Sequence, residues 1–368
     1  MEALGLSGLF GGCYSGRRVL VTGHTGFKGS WLALWLHSLG AEVAGLALDP
    51  EHQPSHWDQL GLPLAMDART DLRDATAVQA ALDAFQPEVV FHLAAQALVR
   101  RSYRDPAATF ASNVGGVVNL FEAVRHCPSV RAVVNATTDK VYESHASPQG
   151  YREVDPLGGH DPYSASKACS EIVSASYRLS FFARPDAHGR RVGLATARAG
   201  NVVGGGDWAE DRLVPDLVRA ASTGSRLVLR NPAATRPWQH VLEPLSGYLL
   251  LGQKLLAGEA VDQAWNFGPS AGATLDVAEV VRRLQAQWPG FEVSHDDGPH
   301  PHEAAQLALD CTKAEAGLGW RPVWDASDTL QRTVDWYRAM DRDGELRSHD
   351  DLAAYVHDAR RAGLAWAS

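Results

Sequence analysis

The chain has 368 residues, 45% of them hydrophobic and 21% charged, with 34 lysines and arginines against 43 aspartates and glutamates for a formal net charge of −9. That length suits one large α/β unit with a smaller lobe, and the acidic balance argues against a general phosphate-tracking nucleic-acid surface. Cys13, Cys127, Cys169 and Cys311 are widely spaced with no Cys-x-x-Cys unit, which speaks against a disulfide framework or a cysteine zinc site and for reduced thiols in a cytoplasmic protein.

Residues 1–16 are glycine-rich and apolar in places, carry Glu2 and lack a basic segment, so they read as a loose tail rather than a signal peptide. No apolar run is long enough to span a bilayer. From Arg17 onward, short β-rich runs alternate with longer helical ones. Strands are expected at 18–22, 42–48, 88–92, 131–136 and 192–198, and helices at 26–39, 105–125 and 162–182. Such alternation specifies a parallel, doubly wound sheet. Past Asn201 the texture changes to glycine-rich and Arg-Asn-Pro loops with frequent tryptophan, where a smaller C-terminal α/β substrate-binding lobe would begin. The expected division is a tail at 1–16, a nucleotide-binding domain at 17–200 to which 237–270 returns, a substrate lobe at 201–236 and 271–350, and a C-terminal tail or helix at 351–368.

Gly23, Gly26 and Gly29 follow the first strand and open the first helix, interleaved with Thr25, Phe27 and Lys28. Glycines there let the backbone approach a pyrophosphate whose charge meets the helix N-terminus, as in a Rossmann fold. Asp49 ends the second strand run roughly 20 residues on, where a carboxylate accepts from a ribose 2′-hydroxyl and favours NAD over NADP. Asp71 and Leu72 are expected near the adenine, Ala94-Ala95-Gln96 at the cofactor end of a strand, and Asn113 as a steadying residue behind them.

Tyr163 and Lys167 stand four apart on an expected helix, so the ammonium can lie near the phenol and favour its ionised form, giving a base for a sugar hydroxyl. On the pattern alone, a solvated helix face remains open. The triplet Thr138-Asp139-Lys140 ends another strand run.

With these motifs, and with Arg198-Ala199-Gly200-Asn201-Val202-Val203-Gly204-Gly205-Gly206-Asp207-Trp208, Arg236-Pro237-Trp238-Gln239-His240 and His300-Pro301-His302-Glu303-Ala304, the chain resembles the extended short-chain dehydrogenases/reductases. Within them it is similar to the nucleotide-sugar 4,6-dehydratases over residues 17 to about 336. The resemblance implies an NAD-dependent enzyme acting on a nucleotide-sugar substrate: oxidation at C4, loss of water across C5 and C6, and hydride return to C6. It implies Tyr163 as the base at the C4 hydroxyl, Thr138 as its hydrogen-bonding partner, Lys167 on the ribose, Asp139 as the acid for the C6 hydroxyl and Lys140 as the C5 base. Many relatives carry Glu where Lys140 stands. Asn201, Arg212, Arg236 and His302 are the implied substrate contacts. A homodimer or homotetramer is implied through the helices from 105 and from 162, with Ala168, Cys169 and Ile172 as apolar positions. No metal is expected, because His300 and His302 lack a third ligand at suitable spacing. The joint match favours a CDP-linked hexose, while dTDP-, UDP- and GDP-linked sugars stay open, as does a non-catalytic NAD-binding sensor.

Overall fold

The computed structural model describes residues 6–144, 149–186, 189–270, 274–296, 298 and 307–368. Its strands are β1 (Arg18–Thr22), β2 (Glu42–Ala47), β3 (Met66–Arg69), β4 (Val89–His92), β5 (Ala132–Ala136), β6 (Gly193–Ala199), β7 (Val202–Val203), β8 (Arg226–Leu229), β9 (Thr235–Pro237), β10 (Gln239–His240), β11 (Ala264–Phe267), β12 (Thr274–Asp276) and β13 (Glu292–His295). Seven of them form a parallel sheet in the order β11-β6-β5-β4-β1-β2-β3. The order reverses between β1 and β4, and a crevice opens there at the carboxyl ends of the strands.

β4 and β5 read Val-Val-Phe-His and Ala-Val-Val-Asn-Ala and are buried at every position, as strands covered on both faces must be. Alternation along β1 sends Val19 and Val21 into one apolar cluster with Trp31, Trp35 and Phe91. It sends Leu20 into the opposite cluster with Leu46, Val90, Val133 and Phe121. The C-terminal lobe is built from short pairs: β8 with β13 in parallel, β9 with β12 antiparallel, and β7 with β10 in parallel. Residues 242–256 form a helix, Leu242–Leu256, against the main sheet, and β11 extends that sheet beside β6.

The structure departs from the sequence expectation in three stretches. The segment from Leu6 to Gly16 is no loose tail: Leu6, Leu9, Phe10 and Tyr14 are buried. Phe10 stacks on Trp366 at 5.0 Å, and the Tyr14 hydroxyl donates to the Leu249 carbonyl at 2.5 Å. The apolar residues that suggested looseness are instead the ones that pin the segment. At the other end, helix Ser348–Arg361 buries Leu352, Tyr355, Val356 and Ala359.

The expected helix at 105–125 is broken. Asp105 caps Pro106–Phe110 by accepting from the Ala108 amide at 2.9 Å, a wide turn covers Ala111–Gly115, and Gly116–His126 follows. The wide turn carries Asn113 inward, the kind of local distortion that clusters at functional sites. Likewise, the helix after Asp161 is regular only over Pro162–Tyr177 and widens at Arg178–Phe182.

Truncating Phe10 tests how the N-terminal segment is held. Phe10→Ala is expected to cost about 3–5 kcal/mol, the range for a buried Phe-to-Ala cavity, and to lower the thermal midpoint clearly. A midpoint equal to the parent's would mean that the segment does not contribute to the core.

Candidate active site

A single cavity of about 1140 Å³ runs from the glycine loop to the C-terminal lobe. A pocket for one small ligand measures roughly 300–1,000 Å³, so this one has room for two ligands placed end to end.

One end is shaped by backbone. Gly23 has φ +75°, and a Cβ there would stand 2.7 Å from the Ala94 nitrogen, so only glycine lets β1 turn beside the end of β4. A methyl on Gly29 would collide with the Gly23 carbonyl oxygen. Gly26 caps helix Phe27–Ser38 without a side-chain hydrogen bond, which leaves the first-turn amides directed at the cavity for an anion. Thr25 donates to the Leu48 carbonyl at 2.9 Å and closes the loop over the end of β2. Asp49 lies just past β2 with its side chain 86% exposed and the Arg69 guanidinium 3.8 Å away, at the place where a ribose would lie. Asp71 is gripped by Arg73 at 2.6 Å, and that hydrogen-bonded guanidinium holds its carboxyl below the usual range. Leu72, Ala94, Ala95 and Gln96 continue the wall. This cradle, with an open helix N-terminus, close-packed glycines and an exposed acid at the second strand, fits a dinucleotide.

The middle of the cavity holds the reactive side chains. Thr138 donates to Asp139 Oδ1 at 3.1 Å, and its hydroxyl acts to lower the Tyr163 phenol. Asp139 is buried, and among the described residues its Oδ2 has no hydrogen-bond partner. Burial raises its carboxyl pKa in spite of Lys140, Thr138, Arg236 and Lys28 nearby, which moves it toward the neutral acid. Lys140 is half-buried on the same wall. The Lys167 ammonium donates to the Ala136 carbonyl at 3.0 Å, and burial brings its pKa down to about 8.

Lys167 does not lower the tyrosine in the way the four-residue spacing suggested. Burial pushes the Tyr163 phenol up to about 12, Thr138 pulling against it, while the Lys167 ammonium is engaged at the end of β5. Lys28 reaches the same cavity from the glycine loop. Burial, with Arg212 and Lys167 beside it, brings its ammonium down to about 7.

The far wall comes from the lobe. Asn201, Arg212 and Arg236 all line it. Arg212 is held by Asp207 at 2.9 Å, and Arg236 donates to the Thr235 carbonyl at 2.9 Å. Asn113 does not line the cavity. It is buried behind it, accepting from the Gln96 amide at 2.8 Å and donating to the Gln96 carbonyl and the Ser166 hydroxyl, both at 2.9 Å. Ser166 in turn donates to the Tyr163 carbonyl at 2.7 Å, so this chain ties the strand-end turn to the tyrosine helix. His302 lies outside the described residues. Among the described residues no cluster of three metal-ligating side chains occurs, and no helix is long and apolar enough to cross a membrane.

Two functional neighbours escaped the sequence reading. Asp207, which orients Arg212, was signalled only by its place after the run of three glycines. Ser166 was hidden inside the Tyr163–Lys167 interval.

The family model for GDP-mannose 4,6 dehydratase matches residues 20–333. A CDP-glucose 4,6-dehydratase of Salmonella typhimurium is 47% identical over 339 residues, covering 90% of this chain and 94% of that one. Among solved structures, a dTDP-glucose 4,6-dehydratase of Streptomyces venezuelae with NAD bound superposes with a TM-score of 0.74 at 27% identity, over 88% of this chain and 97% of that one. A UDP-glucose 4-epimerase of Thermus thermophilus in complex with NAD superposes with a TM-score of 0.75 at 28% identity, over 88% and 99%.

Replacing Asp139 by Asn is expected to stabilise the protein while removing its acid. A carboxyl whose folded pKa is raised carries no penalty below the unfolded pKa of roughly 4, and acquires one as pH rises past it. Thermal midpoints of Asp139→Asn and the parent should therefore coincide near that pH and diverge in favour of the variant at about pH 8. Midpoints that do not diverge on the alkaline side would show that Asp139 ionises freely.

Proposed function

The chain belongs to the GDP-mannose 4,6 dehydratase family, and on that premise we propose that it is an NAD-dependent hydro-lyase converting CDP-D-glucose to CDP-4-keto-6-deoxy-D-glucose. One observation carries the dehydration in particular: a buried carboxyl with a raised pKa, Asp139, which accepts from Thr138 and shares a cavity with Tyr163. Sugar epimerases share the fold, but inversion at C4 needs no acid to release a hydroxyl. The choice of CDP as the carrier rests on the 47% identity to a CDP-glucose 4,6-dehydratase.

Gly23, Gly26 and Gly29 hold the cofactor's diphosphate against the helix N-terminus, Asp49 takes a ribose hydroxyl, and Lys167 secures the other ribose. Bound NAD supplies the acceptor that takes a hydride from C4 and gives it back at C6. The Tyr163 phenolate removes the C4 hydroxyl proton, with Thr138 hydrogen-bonded to the same oxygen. A phenol at about 12 in this dry pocket needs help to ionise, and the Thr138 hydroxyl and the Arg212 guanidinium both pull it down. The C4 ketone acidifies the C5 proton, which the Lys140 amine accepts; a proton exchanged with solvent goes back to C5 when the hydride returns to C6. Asp139 delivers its proton to the C6 hydroxyl, which departs as water. Arg212, Arg236 and Asn201 hold the nucleotide-sugar diphosphate and a sugar hydroxyl at the far wall.

We also assign the protein to the cytoplasm, as a homo-oligomer. Ala168 is buried within the subunit, but Ile172, Leu179 and Phe181 are exposed at 57%, 71% and 45%, giving the helix from Pro162 an apolar outer face for a second copy.

Two experiments test the reaction. Turnover in deuterated water must place solvent deuterium at C5 of a 4-keto-6-deoxy product, and comparison of CDP-, dTDP-, UDP- and GDP-glucose must show CDP-glucose preferred. Active protein without C5 label would sink the mechanism, and equal turnover of all four would remove the nucleotide assignment. Tyr163→Phe should lower kcat by about 10²–10⁴-fold, the usual worth of a positioned base, with NAD still bound by fluorescence titration. Unchanged turnover would remove Tyr163 from its role.

A further inference from the structure

Glu171 lies one helical turn beyond Lys167, and none of the steps above uses it. Its carboxylate is buried between helix Pro162–Tyr177 and the sheet and collects four donors. The Thr137 hydroxyl donates at 2.5 Å, the Thr196 hydroxyl at 2.7 Å, and Arg198 donates from Nε at 3.0 Å and from Nη2 at 2.9 Å. Thr137 immediately precedes Thr138-Asp139-Lys140, whereas Thr196 and Arg198 belong to β6. The chain of contacts continues outward: Arg198 Nη1 donates to the Tyr142 hydroxyl at 2.9 Å, and that hydroxyl donates to Asn266 on β11 at 2.6 Å. One carboxylate therefore joins the tyrosine helix, the turn that bears the acid and base, and two strands of the sheet.

Stability alone explains this poorly. A buried ion pair recovers little beyond its desolvation cost, and well-packed apolar side chains would serve as well. Geometry explains it better, because every donor to Glu171 lies within one or two residues of a group in the cavity or on the strand beneath it.

We propose that Glu171 is a positioning residue of the dehydratase reaction: it braces the Tyr163–Lys167 face of the helix against the Thr137–Lys140 turn and holds a negative charge, paired with Arg198, one helical turn from Lys167. The groups facing Lys167 are the Ala136 carbonyl from β5, His92 from the end of β4, Lys28 from the glycine loop, and Tyr163 and Glu171 on its own helix. Burial keeps His92 neutral, at about 3. Lys28 repels the ammonium, and Glu171 opposes the loss of its proton. Arg198 and Arg178 face Glu171 from the sheet and from the end of the helix. Removing the Glu171 charge thus lets Lys167 deprotonate at a lower pH, and the charged ribose contact is lost with it.

The inference rests on the dehydratase reading for its kinetic readout only, so a second readout is independent of turnover. Titration of Lys167 is followed by NMR of carbon-labelled lysine, assigned with Lys167→Arg, alongside the pH dependence of kcat and KM. In Glu171→Gln the Lys167 titration and the alkaline limb of kcat should move down together by about 1 pH unit, the low end for loss of a close opposite charge. At about pH 8 that is about 5-fold in kcat, with KM for the nucleotide sugar unchanged. Because Gln at this position leaves Arg198 buried without its counter-charge, Glu171→Gln/Arg198→Met removes the pair together and must shift Lys167 in the same direction. Glu171→Asp restores the charge and must return the limb toward the parent's. Lys167 titrating as in the parent in either folded variant overturns the proposal. A parent with no turnover on any nucleotide sugar would instead sink the dehydratase reading and leave the NMR titration to decide Glu171.

Discussion

Dryness at the carboxyl ends of β1, β4 and β5 is the constraint on which this centre depends. A parallel sheet covered on both faces leaves its strand ends as the place where polar side chains gather while water is thinned out. There, burial acts on every ionisable group in the direction of neutrality: Asp139 upward, Tyr163 upward, Lys167 and Lys28 downward. For an acid that must give up a proton this is an advantage. For a phenol that must lose one it is a cost, which the Thr138 hydroxyl and the Arg212 guanidinium partly offset.

Much of this was legible in the sequence because it is local. A glycine at position 23 or 29 is demanded by backbone geometry within a few residues, and the parallel sheet follows from the alternation of short apolar runs with helices. The membership of Thr138, Asp139, Tyr163 and Lys167 in one site was carried by resemblance rather than by spacing, since 23 intervening residues separate Asp139 from Tyr163 and only the crossover between β5 and β6 brings them together.

What the sequence hid was set by tertiary packing. Spacing suggested that Lys167 lowers the Tyr163 phenol, but a four-residue interval says nothing about the Ala136 carbonyl that takes the ammonium instead. Periodicity read residues 105–125 as one helix because a wide turn preserves most of the apolar face while rotating a single residue, Asn113, inward. The N-terminal segment failed for the opposite reason. Phe10 meets Tyr14 within the segment, but the rings that complete its cover, Trp35 and Trp366, lie far along the chain.

The reaction also explains why two lobes meet over one cavity. A sugar that is oxidised, dehydrated and then reduced within one visit must stay in register throughout, so the walls on both sides have to hold it while its ring changes shape. Ion pairs cross the rim between the walls. Arg100 and Arg230 both meet Asp211, at 3.0 and 2.8 Å, and Glu210 joins Arg101 and Arg104, with Arg101 also reaching Glu51. Each such pair is partly exposed and contributes little alone. Sharing carboxylates makes them a network, and it anchors the loop that carries Asp207 and Arg212 to the helix that follows Gln96. The nucleotide-sugar wall is in this way referenced to the cofactor wall through charge at the rim, and to the tyrosine helix through Asn113 and Ser166 underneath.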